Sequence, residues 1–124
     1  MPELDLSSFP EALALFDGPI SMVLGSSNVQ KRPHFARAQG VRRGEAADEI
    51  VVLVPDIMAA PIVHDVQENP NLATTLSHIA NFETRQFVGV CTGIAPAGAA
   101  DLALCDTMLE RSSEAVAMFF GEEG

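Results

Sequence analysis

The sequence contains no tryptophan and no tyrosine, and seven phenylalanines are its only benzenoid side chains. The polypeptide therefore absorbs almost nothing in the near ultraviolet, and any strong band there must come from a bound chromophore. Cysteine is also scarce: Cys91 and Cys105 are too few for a disulfide framework or a four-thiolate zinc site. Positive charge is short, with seven bases against seventeen acids and a net charge of −10, which disfavours nucleic acid and anionic membrane as partners. No apolar run approaches the ~18–20 residues that cross a bilayer. The opening Met1-Pro2-Glu3-Leu4-Asp5 is acidic where a signal peptide is basic, so the expected location is the cytoplasm. Nucleophile elbows, phosphate-binding P-loops, dinucleotide GxGxxG turns and paired-histidine metal motifs are all missing. Catalytic residues thus stay unknown, and if the protein is an enzyme, a cofactor carries its chemistry.

What is present suits one folded domain over residues 1–124. At 48% the apolar share is that of a packed globular chain. Between residues 18 and 44 there is no Asp or Glu, yet Lys31, Arg32, Arg37, Arg42 and Arg43 all fall there. Such a cluster can hold a phosphate or carboxylate, with Arg giving bidentate hydrogen bonds. It can equally be a solvated hairpin whose charges aid solubility.

Ser8-Phe9-Pro10-Glu11 has the form of a capping box, and Phe9, Leu13 and Phe16 follow at helical spacing until Asp17-Gly18-Pro19 stops the helix. A strand is expected over 20–26, a turn over 27–33, and a second extended segment over 34–43 that closes a hairpin. The aliphatic run at 50–54 reads as a strand buried on both faces. Residues 61–67 are helical in pattern and end at Asn69-Pro70. Alternation resumes over 72–78, and 86–94 reads as a further strand, where Gly89 and Gly93 suggest a bulge or close backbone approach. Beyond Gly98 the period becomes helical. Leu102, Cys105, Leu109, Ser112, Val116 and Phe119 form one stripe, widened by Met108 and Phe120, and Gly121 stops the helix. The stripe is expected to face a barrel or a subunit contact. The fold class is α+β, on a mostly antiparallel barrel or sheet.

His34, His64 and His78 lack ligand spacing and read as surface or turn residues, so no metal site is expected. Cys91, within the last strand, and Cys105, on the helix stripe, read as buried inert thiols.

The order of these elements, with Arg32-Pro33-His34, Gln67-Glu68-Asn69-Pro70 and Arg85-Gln86-Phe87-Val88-Gly89-Val90-Cys91-Thr92-Gly93, resembles the pyridoxamine 5′-phosphate oxidase-like family. The resemblance covers roughly residues 9 to 95. It implies a split β-barrel flanked by helices, FMN bound at a homodimer interface, and flavin-dependent oxidoreductase chemistry on a small molecule. Position by position, Arg37 and Arg42 match the family's phosphate-binding pair, and Gln86 matches a glutamine at the flavin ring edge. Five residues apart, the two arginines fall on opposite faces of a regular strand, so a bulge or strand end is required. Where the oxidases carry Ser-Arg-Lys before the short helix, this chain has Ala60-Pro61-Ile62, without hydroxyl or cation. The chain is expected to be a short member, without the oxidases' C-terminal strand and Arg-rich tail. The alternative is a non-enzymatic split-barrel dimer with a degenerate flavin site that binds another small anion or haem.

Overall fold

The computed structural model describes residues 5–120, with side chains as far as 115. After a 3-10 turn at Leu6–Ser8, the order is α1 (Pro10–Ala14), a second 3-10 turn (Leu15–Asp17), β1 (Ile20–Ser27), β2 (Pro33–Arg37), β3 (Gly40–Arg43), β4 (Ile50–Leu53), α2 (Asp56–Glu68), β5 (Asn71–His78), β6 (Thr84–Val90) and α3 (Ala99–Phe120). All strand pairs are antiparallel. They form a four-stranded sheet ordered β2-β1-β5-β6 and a two-stranded sheet of β3 and β4.

The expected extended segment over 34–43 is two strands in two sheets. Within two residues the backbone changes partners: the Ala38 amide donates to the Met22 carbonyl at 3.0 Å, and the Gln39 amide to the Leu53 carbonyl at 2.8 Å. Gly40 permits the crossing, because a Cβ there would stand 2.8 Å from Leu53 Cδ1 and 3.1 Å from Cys105 Sγ. Alternation carries through Ala38 and Gln39 and breaks only beyond them, where Gly40 and Val41 are both buried, so the pattern at the corner itself does not reveal it. The close approach foreseen at Gly89 and Gly93 is absent. Gly89 pairs in unbroken register with Leu72, Gly93 lies beyond β6, and neither has an atom within 4 Å of an added Cβ.

The core lies between the two sheets. Leu15, Ile20, Met22, Ala38, Val41, Leu76 and Met108 form one buried cluster, and Leu24, Ala36 and Ile62 a second; Val52 and Val54 pack against both. β4 is half-buried over most of its length, not enclosed on both faces. The capping box does not form. Phe9 occupies the N-cap of α1 with no side-chain hydrogen bond, while Asp5 caps the preceding turn through Ser7. Phe9 is exposed, and Leu6 and Leu15 take the buried places.

α2 begins five residues before Pro61 and contains it. Proline lacks the amide that would reach the Ile57 carbonyl. Ile57 is 91% exposed, so water can satisfy that carbonyl. On α3 the buried side is turned from the expected stripe. Met108 and Ala115 are buried, Cys105 and Ser112 are half-buried, and Leu102 and Leu109 are 59% and 67% exposed. The Val116, Phe119 and Phe120 side chains and the Gly121 stop lie outside the described residues. No described helix is long and apolar enough to cross a membrane.

Candidate functional site

On the inward face of α2, Ile62, Asp65 and Val66 follow at helical spacing, with Asn69 at the C-cap, and pack toward β1 and β2. A carboxylate in such a stripe must find partners, because an unpaired buried charge is strongly unfavourable. Asp65 is 1% exposed and finds two. Ser26 Oγ donates to Asp65 Oδ2 at 2.8 Å, and His34 Nδ1 lies 2.6 Å from the same oxygen. Ser26 and His34 are register partners on β1 and β2, so the hairpin presents hydroxyl and imidazole side by side to the helix. Burial would raise the Asp65 carboxyl, but the hydrogen bonds from His34 and Ser26, with the nearby His34 and His64 charges, hold it below the ordinary carboxylate range.

With Nδ1 bound to the carboxylate, His34 keeps Nε2 for another partner, and its side chain is 42% exposed. The carboxylate fixes the tautomer and orients the ring, the arrangement usual for an imidazole that ligates a metal or moves a proton. Sequence reading placed His34 in a motif but gave it no role. The available signal was Asp65, a charge in the apolar stripe of a helix. Its partner stands 31 residues away, and only the fold joins them.

The linkage between Asp65 and stability has a definite sign. A carboxyl whose folded pKa is lowered stabilises the fold fully above its unfolded value near 3.9, and that stabilisation is lost as pH falls through the lowered folded value. Denaturant titrations between pH 7 and pH 3 are expected to show this loss below about pH 4. Asp65→Asn is expected to flatten that limb and to lower stability at neutral pH. Asp5 and Asp101, whose carboxyls are also lowered, keep the slope above zero. An unchanged acid limb in the variant would remove Asp65 from the account.

The other named residues occupy different places. Arg37, Val23, Thr75 and Gln86 are successive register partners across β2, β1, β5 and β6. They therefore form one row on the outer face of the sheet, with Arg37 and Gln86 three strand spacings apart, roughly 14 Å. Gln86 Nε2 donates to Thr75 Oγ1 at 3.2 Å. Arg42 belongs to the other sheet. Its Nε and Nη2 donate to the two Asp101 oxygens on α3, at 2.6 and 3.3 Å. The bond to Asp101 raises the guanidinium pKa further and lowers that of the carboxyl. Arg37 and Arg42 do not meet within one chain, because the sheet-switching corner at Ala38 and Gln39 separates them. Ala60, Pro61 and Ile62 fall inside α2 and bring no cation or hydroxyl toward either.

His78 Nδ1 accepts from the Ala80 amide at 3.1 Å and closes the β5–β6 turn. Among the described residues no group of three or more His, Cys, Asp or Glu side chains is arranged to hold a metal ion. Cys105 is half-buried, and burial, with Asp106 and Asp101 nearby, raises its thiol pKa. Cys91 follows β6 instead of lying within it and is only half-buried.

No protein-family model matches the chain. Nor does any curated protein match it. Among solved structures the chain is similar to HutZ, the haem storage protein from Vibrio cholerae, at a TM-score of 0.52 and 15% sequence identity, over 97% of this chain and 79% of that one. The likeness is one of fold. This chain has the α+β split-barrel architecture that its motifs led us to expect, with the long C-terminal helix in place.

Proposed function

We propose that this protein is a non-enzymatic, homodimeric split-barrel module that binds haem, with His34 as the residue that would hold its iron. The observation that carries the reading is the His34–Asp65 pair. It offers an imidazole nitrogen on a half-exposed side chain, anchored from behind by a buried carboxylate. That donor set fits haem iron, for which histidine is a common axial ligand and the carboxylate behind it a tuning group. Lys31 and Arg32, in the turn just before β2, are exposed and make no ion pair among the described residues. They are suited to the two propionates. The haem storage protein of similar fold supports the choice of ligand.

Absorbance tests this directly, since the polypeptide has neither tryptophan nor tyrosine. Protein mixed with haemin and desalted is expected to retain a saturable Soret band. His34→Ala is expected to lose or shift that band, and Asp65→Asn to shift it while haem remains bound. A colourless wild-type protein after desalting would overturn the reading.

FMN is the second reading, and one observation favours it: Arg37 and Gln86 share a face and a cross-strand row. On that reading Arg37, Arg42 and Gln86 hold the flavin across two subunits, and the protein is an oxidoreductase on a small-molecule substrate. Arg42 would have to leave Asp101 to join them. A yellow sample after incubation with FMN and desalting, with no Soret band after haemin, would decide for it.

A further inference from the structure

Between the N-terminal helical turns, β3 and α3 lies a cleft of about 320 Å³ that shares no residue with the His34–Asp65 site. Leu13, Phe16 and Leu104 supply apolar walls, and Arg42, Arg43 and Arg111 converge on it. Three of the chain's seven basic residues thus line one depression of a molecule with net charge −10. Leu104 and Arg111, seven residues apart, lie two turns from each other along one side of α3, the side on which Met108 is buried.

The cleft lining carries three guanidinium groups and one carboxylate, Asp17. Asp101 pairs with Arg42 through two hydrogen bonds. Arg43 and Arg111 make no ion pair among the described residues, and Asp17, which also borders the cleft, makes none either. Asp5 acts on Arg43, and Glu45 and Glu49 act on Arg42, only through space. Like charges held together beside apolar walls repel one another, and an anion placed between them relieves that repulsion with bidentate, charge-assisted bonds.

We infer that this cleft binds a small amphipathic anion, a carboxylate on an apolar chain, whose head group is held by Arg43 and Arg111 and whose tail packs on Leu13, Phe16 and Leu104. The volume sits at the lower end of the ~300–1,000 Å³ typical of ligand pockets, which favours a short chain. Arg42, already paired with Asp101, shapes the wall and keeps that acid from competing for the other two guanidinium groups.

Octanoate is the probe, and 1-octanol its uncharged counterpart. Titration of the full chain, followed by calorimetry and by amide shifts in NMR spectra, is expected to show one saturable octanoate site. The shifts are expected to centre on Phe16, Arg43 and Leu104, and binding to weaken as salt rises. The Arg43→Gln, Arg111→Gln double variant is expected to weaken octanoate at least roughly tenfold. Its melting temperature should stay that of the parent, because neither arginine is part of the core. Leu104→Asn is expected to weaken both ligands. Absence of saturable octanoate binding would overturn the inference. So would octanol binding as tightly as octanoate with the double variant unchanged, since the cleft would then be an apolar depression without anion recognition.

Discussion

Replacing Leu76 with Ala is expected to destabilise the fold by about 2–5 kcal/mol, the usual range for emptying a filled core position. Leu76 is 0% exposed and lies on the inner face of β5, where it pairs with Met22 and belongs to the cluster that also holds Leu15, Val41 and Met108. Strands, the N-terminal turns and α3 all meet there, so the cavity has no single mobile neighbour able to fill it. Leu109→Ala is expected to change stability by less than about 0.5 kcal/mol in the same denaturant titration, the size typical of surface positions. Leu109 is 67% exposed, although its sequence pattern matched a buried stripe. A loss below about 1 kcal/mol for Leu76→Ala would mean that the inner sheet face is not closely packed, and would reject the core arrangement described here.

The contrast between these two leucines shows what the sequence carried and where it stopped. The 3.6-residue period established that a long helix follows Gly98. It did not establish which of two overlapping stripes turns inward, because Leu102 and Leu109 on one side and Leu104 and Met108 on the other give nearly the same pattern. Local repulsion and propensity cannot choose between them; the shape of the barrel does. β1, β5 and most of β6 were legible from alternation and turn residues. The division of 34–43 into β2 and β3 was not, since alternation continues across Ala38 and Gln39 and fails only at Val41, inside β3. That corner also decides the site. Arg37 and Arg42 look like neighbours in sequence but stand in different sheets. Asp65 and His34 look unrelated and stand in contact. α2, which starts five residues before the 61–67 segment expected to be helical, carries Asp65 to the hairpin.

Light scattering at micromolar concentration in moderate salt is expected to give twice the 13.2 kDa chain mass, and Val88→Lys is expected to return it to one. The contact is expected on the outer face of the four-stranded sheet. Phe35, Gly25, Ala73 and Val88 form one cross-strand row, directly beside the row that holds Arg37, Val23, Thr75 and Gln86. Phe35 lies over Gly25, where an added Cβ would stand 3.2 Å from its ring. Yet Phe35, Val88 and Val90 are 71%, 75% and 61% exposed. An apolar sheet face with small residues at its centre is flat enough to accept an identical face, and a two-fold contact covers it without a second protein. A standard interface takes about 800 Å² from each partner, close to a tenth of this chain's 8307 Å² surface. Salt matters, because a net charge of −10 on each chain opposes association at low ionic strength. A lysine at position 88 would put two ammonium groups against apolar surface within the contact, at a cost of several kcal/mol, while the separate chain keeps its core intact. If Leu109→Ala dissociates the dimer and Val88→Lys does not, the contact runs through α3 instead. A monomeric mass for the unaltered protein would reject the homodimer, and with it any ligand held jointly by Arg37 of one subunit and Gln86 of the other.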